Sequence, residues 1–467
     1  MNPASQLLRL AVLGILVSAC TLGPDYQRPE VDLPEDFNEK LNEAEAGKSL
    51  ADLRWWELFN DDELIELVDT AIAENNNLAI ATARLEEARA RLGFVRADQF
   101  PFVDGAAGAS RGSSLARVLP GAGVQNNYVL AADVSYEVDL FGKLRRSTEA
   151  ARAELLASEE ARRTVLTTLI ADVASNYFLL RDLDDRAEIA RRTLETRADS
   201  TQIIRARFEK GTVPMLDVNQ AEIEEADAAA ALAAVTRQRI LTENVISVLI
   251  GRKAGPITRG RSLEEQLQVP EVPAGLPSQL LDRRPDVRTS EARLAAQTAR
   301  IGVAEALRYP SLSLTGTLGL ASNDLSDLTD GASEFWDVSA SLFAPVFNSG
   351  QNKRRVEIEV ARTEQAMEAY EFTVLLALRE VEDALASVRT LRDEFSARER
   401  QFLAARSAAT LSRARYDGGV SSYLEVLDSE RSLFQAENFV SIVRRNQLVT
   451  IVELYKALGG GWVPDPQ

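Results

Sequence analysis

The side chains that most often do chemistry in proteins are nearly absent from this chain. It has no histidine and one cysteine among 467 residues. Histidine is the commonest general base and metal ligand, and a catalytic triad without it would be exceptional. The sequence also has no Cys/His cluster with metal-ligand spacing and no glycine-rich phosphate loop. These features predict a protein that is not an enzyme and that holds no metal or cofactor.

Carboxylates are the most abundant charged groups, and the formal net charge of −18 argues against nucleic acid as a partner. The adjacent pairs Glu159-Glu160 and Glu224-Glu225 are interpreted as solvated helix faces. Glu425 and Asp428 are three residues apart and would lie on one face of a helix. Two interpretations stay open for them: solvated acids in an N-terminal turn, which the helix dipole favours, or a functional carboxylate pair.

The single cysteine, Cys20, follows residues 1–19, which read as a signal peptide with a short apolar core. The sequence Val17-Ser18-Ala19-Cys20 resembles a bacterial lipobox, in which cleavage leaves a lipidated cysteine. The alternative is an ordinary signal peptide with an incidental cysteine. Thr21 follows the cysteine in place of aspartate, which favours the outer membrane by resemblance to the known sorting pattern. We therefore expect a covalent lipid on Cys20, which anchors a chain without spanning the bilayer.

The elements that must position these residues occur twice, at an offset of 208 residues (415 minus 207). Arg207-Phe208-Glu209-Lys210-Gly211 corresponds to Arg415-Tyr416-Asp417-Gly418-Gly419. Leu216-Asp217-Val218 corresponds to Leu424-Glu425-Val426. A period this long is not that of a short solenoid repeat. It predicts two structurally equivalent halves with the same series of elements.

Four segments without glycine or proline predict long helices. They are residues 143–210, 215–250, 351–417 and 420–458. Glycine and proline interrupt helices, and these segments are rich in good helix formers. At 1.5 Å per residue each of the two longer segments would reach roughly 100 Å. Each turns into a shorter helix at a break that contains Gly211 in the first half and Gly418 and Gly419 in the second, which predicts coiled-coil hairpins.

Helical periodicity alone leaves a plain coiled-coil stalk open, but four alternating segments favour strands. They are residues 102–110, 128–140, 311–320 and 336–346. Strands of about ten residues with one apolar and one polar face are typical of transmembrane β-barrels, and Tyr128, Phe335 and Trp336 stand near strand ends, where interface aromatics belong. The alternative is two soluble hairpins packed on one face.

Four strands cannot close a barrel alone, because small closed barrels need about eight. Open sheet edges would leave backbone groups unsatisfied in lipid. If the strands span a membrane, the protein must be an oligomer that shares one barrel, with residues 111–127 and 321–334 as external loops.

The chain resembles the TolC/OprM-type outer-membrane factors, in the NodT-like family of outer-membrane efflux lipoproteins, over essentially its whole mature length. The residues that carry the resemblance are Gly23-Pro24-Asp25-Tyr26-Gln27-Arg28-Pro29, Trp55-Trp56-Glu57-Leu58-Phe59, Tyr136-Glu137-Val138-Asp139-Leu140-Phe141-Gly142, Arg283-Arg284-Pro285-Asp286-Val287 and Tyr423-Leu424-Glu425-Val426-Leu427-Asp428. The resemblance implies a mixed α+β membrane protein. In it, a homotrimer forms a twelve-stranded β-barrel, with four strands per chain, continuous with a long periplasmic α-helical barrel.

The repeat and the resemblance together predict six divisions of the chain. They are a signal peptide (1–19), a lipidated N-terminal segment with equatorial elements (20–75), a first repeat (76–251), an equatorial linker (252–282), a second repeat (283–459) and a C-terminal tail (460–467).

The resemblance implies an outer-membrane channel of a tripartite, RND-type efflux system that conducts solutes passively. Its partners would be two further copies, a periplasmic adaptor (membrane fusion) protein, an inner-membrane pump and outer-membrane lipid. Two alternatives stay open: a lipid-anchored periplasmic scaffold without a pore, and an exit duct for type I secretion. The sequence does not name the exported cargo.

In this family the periplasmic helix tips close like an iris, and the resemblance places those tips at 208–217 and 416–428. The family's gate acids correspond to Glu425 and Asp428, which in a trimer would form two carboxylate rings that favour cations. Asp217 and Tyr416 correspond to the network that holds the gate shut.

One position of that network departs from the family pattern. Ser421 stands where an arginine is expected. Arg205, Arg413 and Arg415 are the candidates to replace it.

Overall fold

A computed structural model of the chain describes residues 21–34, 37, 61–112, 124–266 and 280–460. The signal segment, Cys20 and the motif at 55–59 lie outside the described residues. The chain forms two compact units, and each combines segments of both repeats. The first unit contains Met1–Val31, Arg84–Glu159 and Thr289–Phe372, and the second contains Asp32–Ala83, Glu160–Arg288 and Thr373–Gln467.

The order of elements repeats once along the chain. The elements are α1 (Asp62–Glu74), α2 (Asn76–Ala97), β1 (Phe102–Gly112), β2 (Gln125–Val138), α3 (Lys143–Glu209), α4 (Met215–Leu249), α5 (Leu263–Gln266), α6 (Leu280–Arg283), α7 (Pro285–Ala306), β3 (Ser311–Ser322), β4 (Glu334–Phe343), α8 (Gln351–Asp417) and α9 (Tyr423–Ala457). Both ends of α3 and α4 correspond to the ends of α8 and α9 at the offset of 208. The four helices predicted from the segments without glycine and proline are therefore confirmed.

The first unit contains one antiparallel sheet in the order β1-β2-β3-β4. Its register places apolar residues of neighbouring strands on one face. Leu318 lies opposite Ala132 on one side and Trp336 on the other. Leu318, Trp336 and Val338 are 66%, 75% and 75% exposed, so this face is uncovered within the described part of one copy.

The opposite face of the sheet is polar. Asp133 lies opposite both Asp104 and Thr317, and the Thr317 hydroxyl donates to the Asp133 carboxylate at 2.6 Å. Thr315 and Ser339 face each other with their hydroxyl oxygens 2.8 Å apart. The alternation of apolar and polar residues in the sequence therefore corresponds to two chemically different faces of one sheet.

The predicted end of β2, Leu140, was wrong by two residues. The strand ends at Val138 because the next residue, Asp139, caps α3. Its carboxylate accepts hydrogen bonds from the backbone N–H groups of Leu144 and Arg145 at 3.2 and 2.9 Å. These are donors that a helix N-terminus leaves unpaired.

The predicted end of β4 was also wrong, since the strand stops at Phe343 and not at Val346. Pro345 follows two residues later and has no amide hydrogen for the ladder. Apolar side chains continue past the last paired residue, so alternation alone overestimated the strand.

In the second unit, the buried carboxylate of Asp61 joins three segments. It caps α1 and accepts hydrogen bonds from the Tyr177 hydroxyl at 2.8 Å and the Gln266 amide at 2.6 Å. The backbone N–H of Arg261 donates to the same carboxylate at 3.1 Å. Gly260 passes so close that a Cβ there would lie 2.0 Å from an Asp61 oxygen.

The long helices of the second unit contact one another side by side in the order α4, α3, α9, α8. The contacts are Thr201 to the Ala221 carbonyl at 3.2 Å (α3–α4), Ser441 to Asp182 at 2.7 Å and Arg192 to Glu437 at 2.7 Å (α3–α9), and Ser412 to Ser429 at 2.5 Å (α8–α9). Near the tips α3 also contacts α8 and α4 also contacts α9, through Arg207–Asp417 and Glu224–Arg431. Along the rest of their length α4 and α8 are the two outer members of the row.

Among the described residues, no helix has both the length and the apolar character needed to cross a bilayer.

Candidate functional site at the helix tips

The two hairpins of the second unit turn with the same backbone geometry. Gly211 and Gly419 both have φ of +71°. The residue after each glycine donates its N–H to a carbonyl five residues earlier, Thr212 to Arg207 and Val420 to Arg415, both at 3.0 Å. This is the Schellman arrangement that ends a helix at a left-handed residue.

The predicted turn glycines differ in role. Gly418 does not have a positive φ, and its N–H donates to the Ala414 carbonyl at 3.0 Å, so it extends the hydrogen-bond pattern of α8 by one residue beyond Asp417. Of the three, Gly211 and Gly419 occupy positions where the backbone favours glycine.

Beneath these turns, an apolar cluster joins the two hairpins. Its buried members are Ile204, Val218, Ala221, Tyr423, Val426 and Leu427. The cluster takes residues from α3, α4 and α9, so the tips of one copy pack as a single body. We call the region 204–222 with 413–431 the helix tips.

Tyr416 is half-buried in the helix tips and is held by its ring. The ring lies 5.3 Å from the ring of Tyr423, and the Arg207 guanidinium lies over it at 5.1 Å. Arg207 also reaches the Asp417 carboxylate at 3.6 Å. Because Arg207 belongs to the first hairpin and the other residues to the second, this contact, which we call the Arg207 clamp, ties the two hairpins together.

The predicted pair of Asp217 and Tyr416 forms no hydrogen bond within the described part of one copy. The Tyr416 and Ser421 hydroxyls have no hydrogen-bond partner among the described residues. Asp217 is half-buried, and its N–H donates to the Pro214 carbonyl at 3.1 Å.

The gate acids predicted by resemblance lie on the exposed side of α9. Glu425 and Asp428 are exposed, while Val426 and Leu427 between them are buried. The Arg415 guanidinium lies 3.0 Å from the Glu425 carboxylate, and Asp428 has no ion pair within the described residues. The two carboxylates are thus available to solvent at one level of the hairpin.

The three arginines considered as replacements for the missing one are each engaged. Arg205 pairs with Glu222 at 2.5 Å. Arg413 lies 3.6 Å from Glu430 and also donates to the Ser200 hydroxyl on α3 at 3.1 Å, so it links the two hairpins. Arg415 pairs with Glu425 as described. Arg207 also joins the two hairpins and was not predicted from the sequence, although it begins the first copy of the repeated pentapeptide.

Buried charge lies at the inner edge of the helix tips. Glu224 is 2% exposed and forms ion pairs with Arg197 at 3.0 Å and with Arg431. Burial raises the pKa of the Glu430 carboxyl, against the opposing effect of Arg413. Burial, followed by the charge of Glu430, raises the pKa of Tyr423 to about 12.

The prediction that both acidic pairs are solvated was wrong for one member of each. Glu160 and Glu224 are buried, and Glu160 pairs with Arg163 at 2.6 Å and Arg288 at 2.9 Å. Successive helix residues point about 100° apart, so only one of two adjacent acids can face water fully.

The segment after Cys20 is fixed on the first unit by Arg146. This side chain donates to the carbonyls of Leu22 and Gly23, both at 3.1 Å, and to Asp25 at 2.7 Å. Thr21, the first described residue, packs against Gly142 at the start of α3. The chain next to the predicted lipid site is therefore held where β2 meets α3.

The described residues contain no group of three or more acidic, histidine or cysteine side chains arranged to hold a metal ion.

Comparison with known proteins identifies what the chain resembles. Residues 67–252 and 276–460 match the family described as "Outer membrane efflux protein". The cation efflux system protein CusC of Escherichia coli O157:H7 is 32% identical over 96% of this chain and 97% of its own length. The solvent efflux pump outer membrane protein SrpC of Pseudomonas putida is 34% identical over 96% and 97%. The probable outer membrane lipoprotein SilC of Salmonella typhimurium is 32% identical over 98% and 99%.

Among solved structures, the open state of the Neisseria gonorrhoeae MtrE outer membrane channel matches with a TM-score of 0.86 and 33% identity. The match covers 96% of this chain and all of that one.

Proposed function

This chain belongs to the outer membrane efflux protein family, and we propose that it acts as a homotrimeric channel through which solutes leave the cell at the end of a tripartite pump. Relatives that match nearly its whole length are channel and efflux proteins of the outer membrane. The duct is passive, and the energy comes from an RND-type inner-membrane pump that reaches it through a periplasmic adaptor. The inner-membrane pump selects the exported solute, because one relative is named for cations and another for solvents.

The observation that carries the proposal is the open sheet of the first unit. Among the described residues, strands β1 and β4 each have a neighbour on one side only, and nothing covers the apolar face. Lipid can cover that face but cannot satisfy unpaired backbone groups at the two edges. Pairing β4 of one copy with β1 of the next removes both edges, and three copies supply twelve strands.

The row of helices in the second unit supports the same closure. Its outer members carry exposed apolar side chains along their length. These are Leu241, Val245 and Val248 on α4 and Leu375, Leu403 and Leu411 on α8, each between 46% and 69% exposed. Packing α8 of one copy against α4 of the next would bury both sets and close a helical barrel.

In this assembly the helix tips act as the gate. Three copies would place Glu425 and Asp428 in two carboxylate rings, which favour cations and repel anions. Tyr416 and Asp217 belong to the closed state of the gate, and Gly211 and Gly419 form its hairpin turns. A covalent lipid on Cys20 anchors each copy to the outer membrane, and Arg146 holds the segment that follows it, at Leu22 and Gly23.

Planar-bilayer conductance tests the proposal, with lipidated wild-type protein beside Arg207→Gln. The variant removes the Arg207 clamp, so we expect a small conductance in the wild type and a larger one in the variant. Surface labelling and protease protection would establish insertion of both proteins. Inserted protein that conducts in neither form would contradict the channel and favour the periplasmic scaffold.

A further inference from the structure

Resting on the proposed trimeric channel, we infer that Phe347 of one copy stacks on Phe100 of the next copy, and that this pair fixes the register of β4 on the neighbouring β1. The partner is therefore a second copy of this chain. A closed ring would contain three such stacks, at the end of the sheet where the strands join the helices.

The first support is a stack of the same kind inside one copy. The rings of Phe141 and Tyr309 lie 4.9 Å apart with 29° between their planes. Phe141 follows the end of β2, and Tyr309 precedes the start of β3. Counting three residues on from the last pair of these strands, Val138 and Leu312, reaches these two aromatic residues. The stack therefore continues the register of the sheet.

The second support is that two exposed rings occupy the corresponding places of the repeat. Phe100-Pro101 before β1 corresponds to Tyr309-Pro310 before β3, at an offset of 209 (309 minus 100). Phe347 follows β4 as Phe141 follows β2. Phe100 and Phe347 are 56% and 86% exposed, and neither contacts another ring within the described part of one copy. Each ring therefore has a surface open to a partner.

The third support is the alternation of the two faces of the sheet. A slip of one residue would turn every side chain of an edge strand to the wrong face. Asp104 of β1 and Ser339 of β4 both lie on the polar face. A pairing of like faces therefore places Phe100 opposite an odd-numbered residue. Between the end of β4 and the start of α8, Phe347 is the only aromatic residue that satisfies this condition.

The register that this pair sets uses nearly the whole length of both edge strands. It places residues 104–112 of β1 opposite residues 335–343 of β4, so the backbone groups of both edges find partners in lipid. A shift of two residues would keep the faces matched but would move the two rings apart by about 7 Å along the strands. The stack therefore selects one register among those that the faces allow.

The fourth support is that the helices of the first unit follow the same order as the strands. The contacts are Gln99, just after α2, to Thr148 of α3 at 2.5 Å, Arg300 of α7 to Glu154 of α3 at 2.7 Å, and Gln297 of α7 to Glu359 of α8 at 2.5 Å. The order is therefore α2, α3, α7, α8. In a closed ring α8 of one copy meets α2 of the next where β4 meets β1.

The fifth support is a glycine without a neighbour in its own copy. Gly302 of α7 lies so close to Arg146 of α3 that a Cβ on the glycine would be 2.9 Å from this side chain. The corresponding residues of the repeat are Gly93 of α2 and Arg354 of α8. A Cβ on Gly93 would meet no described atom within 4 Å, and the Arg354 side chain is 76% exposed. In the ring they would meet about two helical turns before Phe100.

A double-mutant cycle on the stability of the trimer tests the stack with Phe100→Leu, Phe347→Leu and the double variant. An aromatic pair shifts an equilibrium by roughly two- to ten-fold, so loss of three stacks should speed dissociation of the detergent-extracted trimer by about ten-fold or more. Because each single change already breaks the pair, the double variant should dissociate at about the same rate as either single variant. A double effect equal to the product of the two single effects would overturn the inference.

Trp336→Leu is the matched control for Phe347→Leu. Trp336 is an exposed aromatic residue of β4 but lies on the apolar face, so the control trimer should dissociate at nearly the wild-type rate. An effect of Trp336→Leu as large as that of Phe347→Leu would also count against the stack, since any aromatic side chain of this strand would then do the same.

Cross-linking locates the pair and separates failure of this inference from failure of the channel. With Cys20 lipidated, Phe100→Cys/Phe347→Cys has free thiols only beside the ends of β1 and β4. A short bis-maleimide should join neighbouring copies into linked dimers and trimers. Phe100→Cys/Ser341→Cys, which moves one thiol about 20 Å along β4, should stay as single chains.

The two failures give different results. A conducting wild type whose Phe100→Cys/Phe347→Cys variant gives single chains only would refute the stack alone. Links at 100 and 347 in a protein that does not conduct would refute the channel alone.

Discussion

At the scale of residues, the position of a carboxylate on its helix decides what it does. Glu224 faces the neighbouring hairpin, is 2% exposed and is paired with Arg197 and Arg431. Glu425, on α9, faces solvent and forms an ion pair with Arg415. Burial of a charge is tolerated only with partners, so the first acid stabilises the helix tips, while the second is exposed to solvent, where the proposed channel would place it beside passing ions.

Removing the proposed gate acids should weaken cation selectivity. A carboxylate about 10 Å from an ion contributes about 0.4 kcal/mol in water. Six of them, screened at about 0.15 M salt, favour a cation about three-fold and disfavour an anion about three-fold, which changes the cation-to-anion ratio by about ten-fold. We expect the cation-to-anion permeability ratio of Glu425→Gln/Asp428→Asn to fall by about that factor in reversal-potential measurements. Glu188→Gln/Glu195→Gln, two exposed acids of α3, is the matched control. An unchanged permeability ratio in the gate variant would show that the constriction is not at Glu425 and Asp428.

Asp61→Ala should destabilise the second unit. The change removes the cap of α1 and leaves the Gln266 amide and the Tyr177 hydroxyl without their carboxylate partner. Loss of a cap with buried groups left unpaired costs about 3 kcal/mol. Thermal unfolding followed by circular dichroism should show the loss, with Asp62→Ala, the exposed neighbour, close to wild type. Equal melting of the two variants would show that the buried carboxylate contributes little.

At the scale of elements, backbone conformation determines where the helices end, and pairing with neighbouring strands determines where the strands end. The turns at Gly211 and Gly419 have the same hydrogen bonds and the same φ, which explains why helix ends coincide in the two repeats. The strands depend on pairing, so β2 and β4 end where a cap residue or a proline interrupts the ladder.

Alanine at the two left-handed glycines should loosen the helix tips. A non-glycine residue at φ of +71° costs about 1 kcal/mol. We expect Gly211→Ala and Gly419→Ala each to lower the temperature at which the detergent-extracted oligomer dissociates on gels. Gly418→Ala, one residue away in helical conformation, should be neutral or mildly stabilising. A Gly418→Ala effect as large as that of Gly419→Ala would contradict the assignment of the turn.

A charge on the apolar face of the sheet should block membrane assembly. Leu318 is 66% exposed on that face, and an arginine on a lipid-facing position costs about 2–4 kcal/mol at the middle of the bilayer. We expect Leu318→Arg to reduce the amount of protein in outer-membrane fractions. Thr317→Arg, on the adjacent polar face, should assemble normally and change conductance only. Normal assembly of both would mean that the sheet does not face lipid.

At the scale of the whole molecule, local signals in the sequence were sufficient for the elements but not for their contacts. Segments without glycine and proline set the ends of the long helices to within three residues, because helix ends depend on nearby backbone. The alternation predicted both faces of the sheet. The Arg207 clamp and the Asp61 carboxylate were missed, since their partners lie 116 to 210 residues away along the chain. The resemblance named Tyr416 and Asp217, but not that an arginine of the first hairpin holds Tyr416.

The measurement that tests the central claim most directly is cross-linking between the two edge strands. Ala107→Cys on β1 and Val338→Cys on β4 lie on the same face, and within one copy three strand spacings, at least about 14 Å, separate them. A short bis-maleimide added to membranes should give bands of two and three linked chains on denaturing gels, and Ala107→Cys alone should give none. Single chains only, or a ladder that continues beyond three, would contradict a barrel shared by three copies.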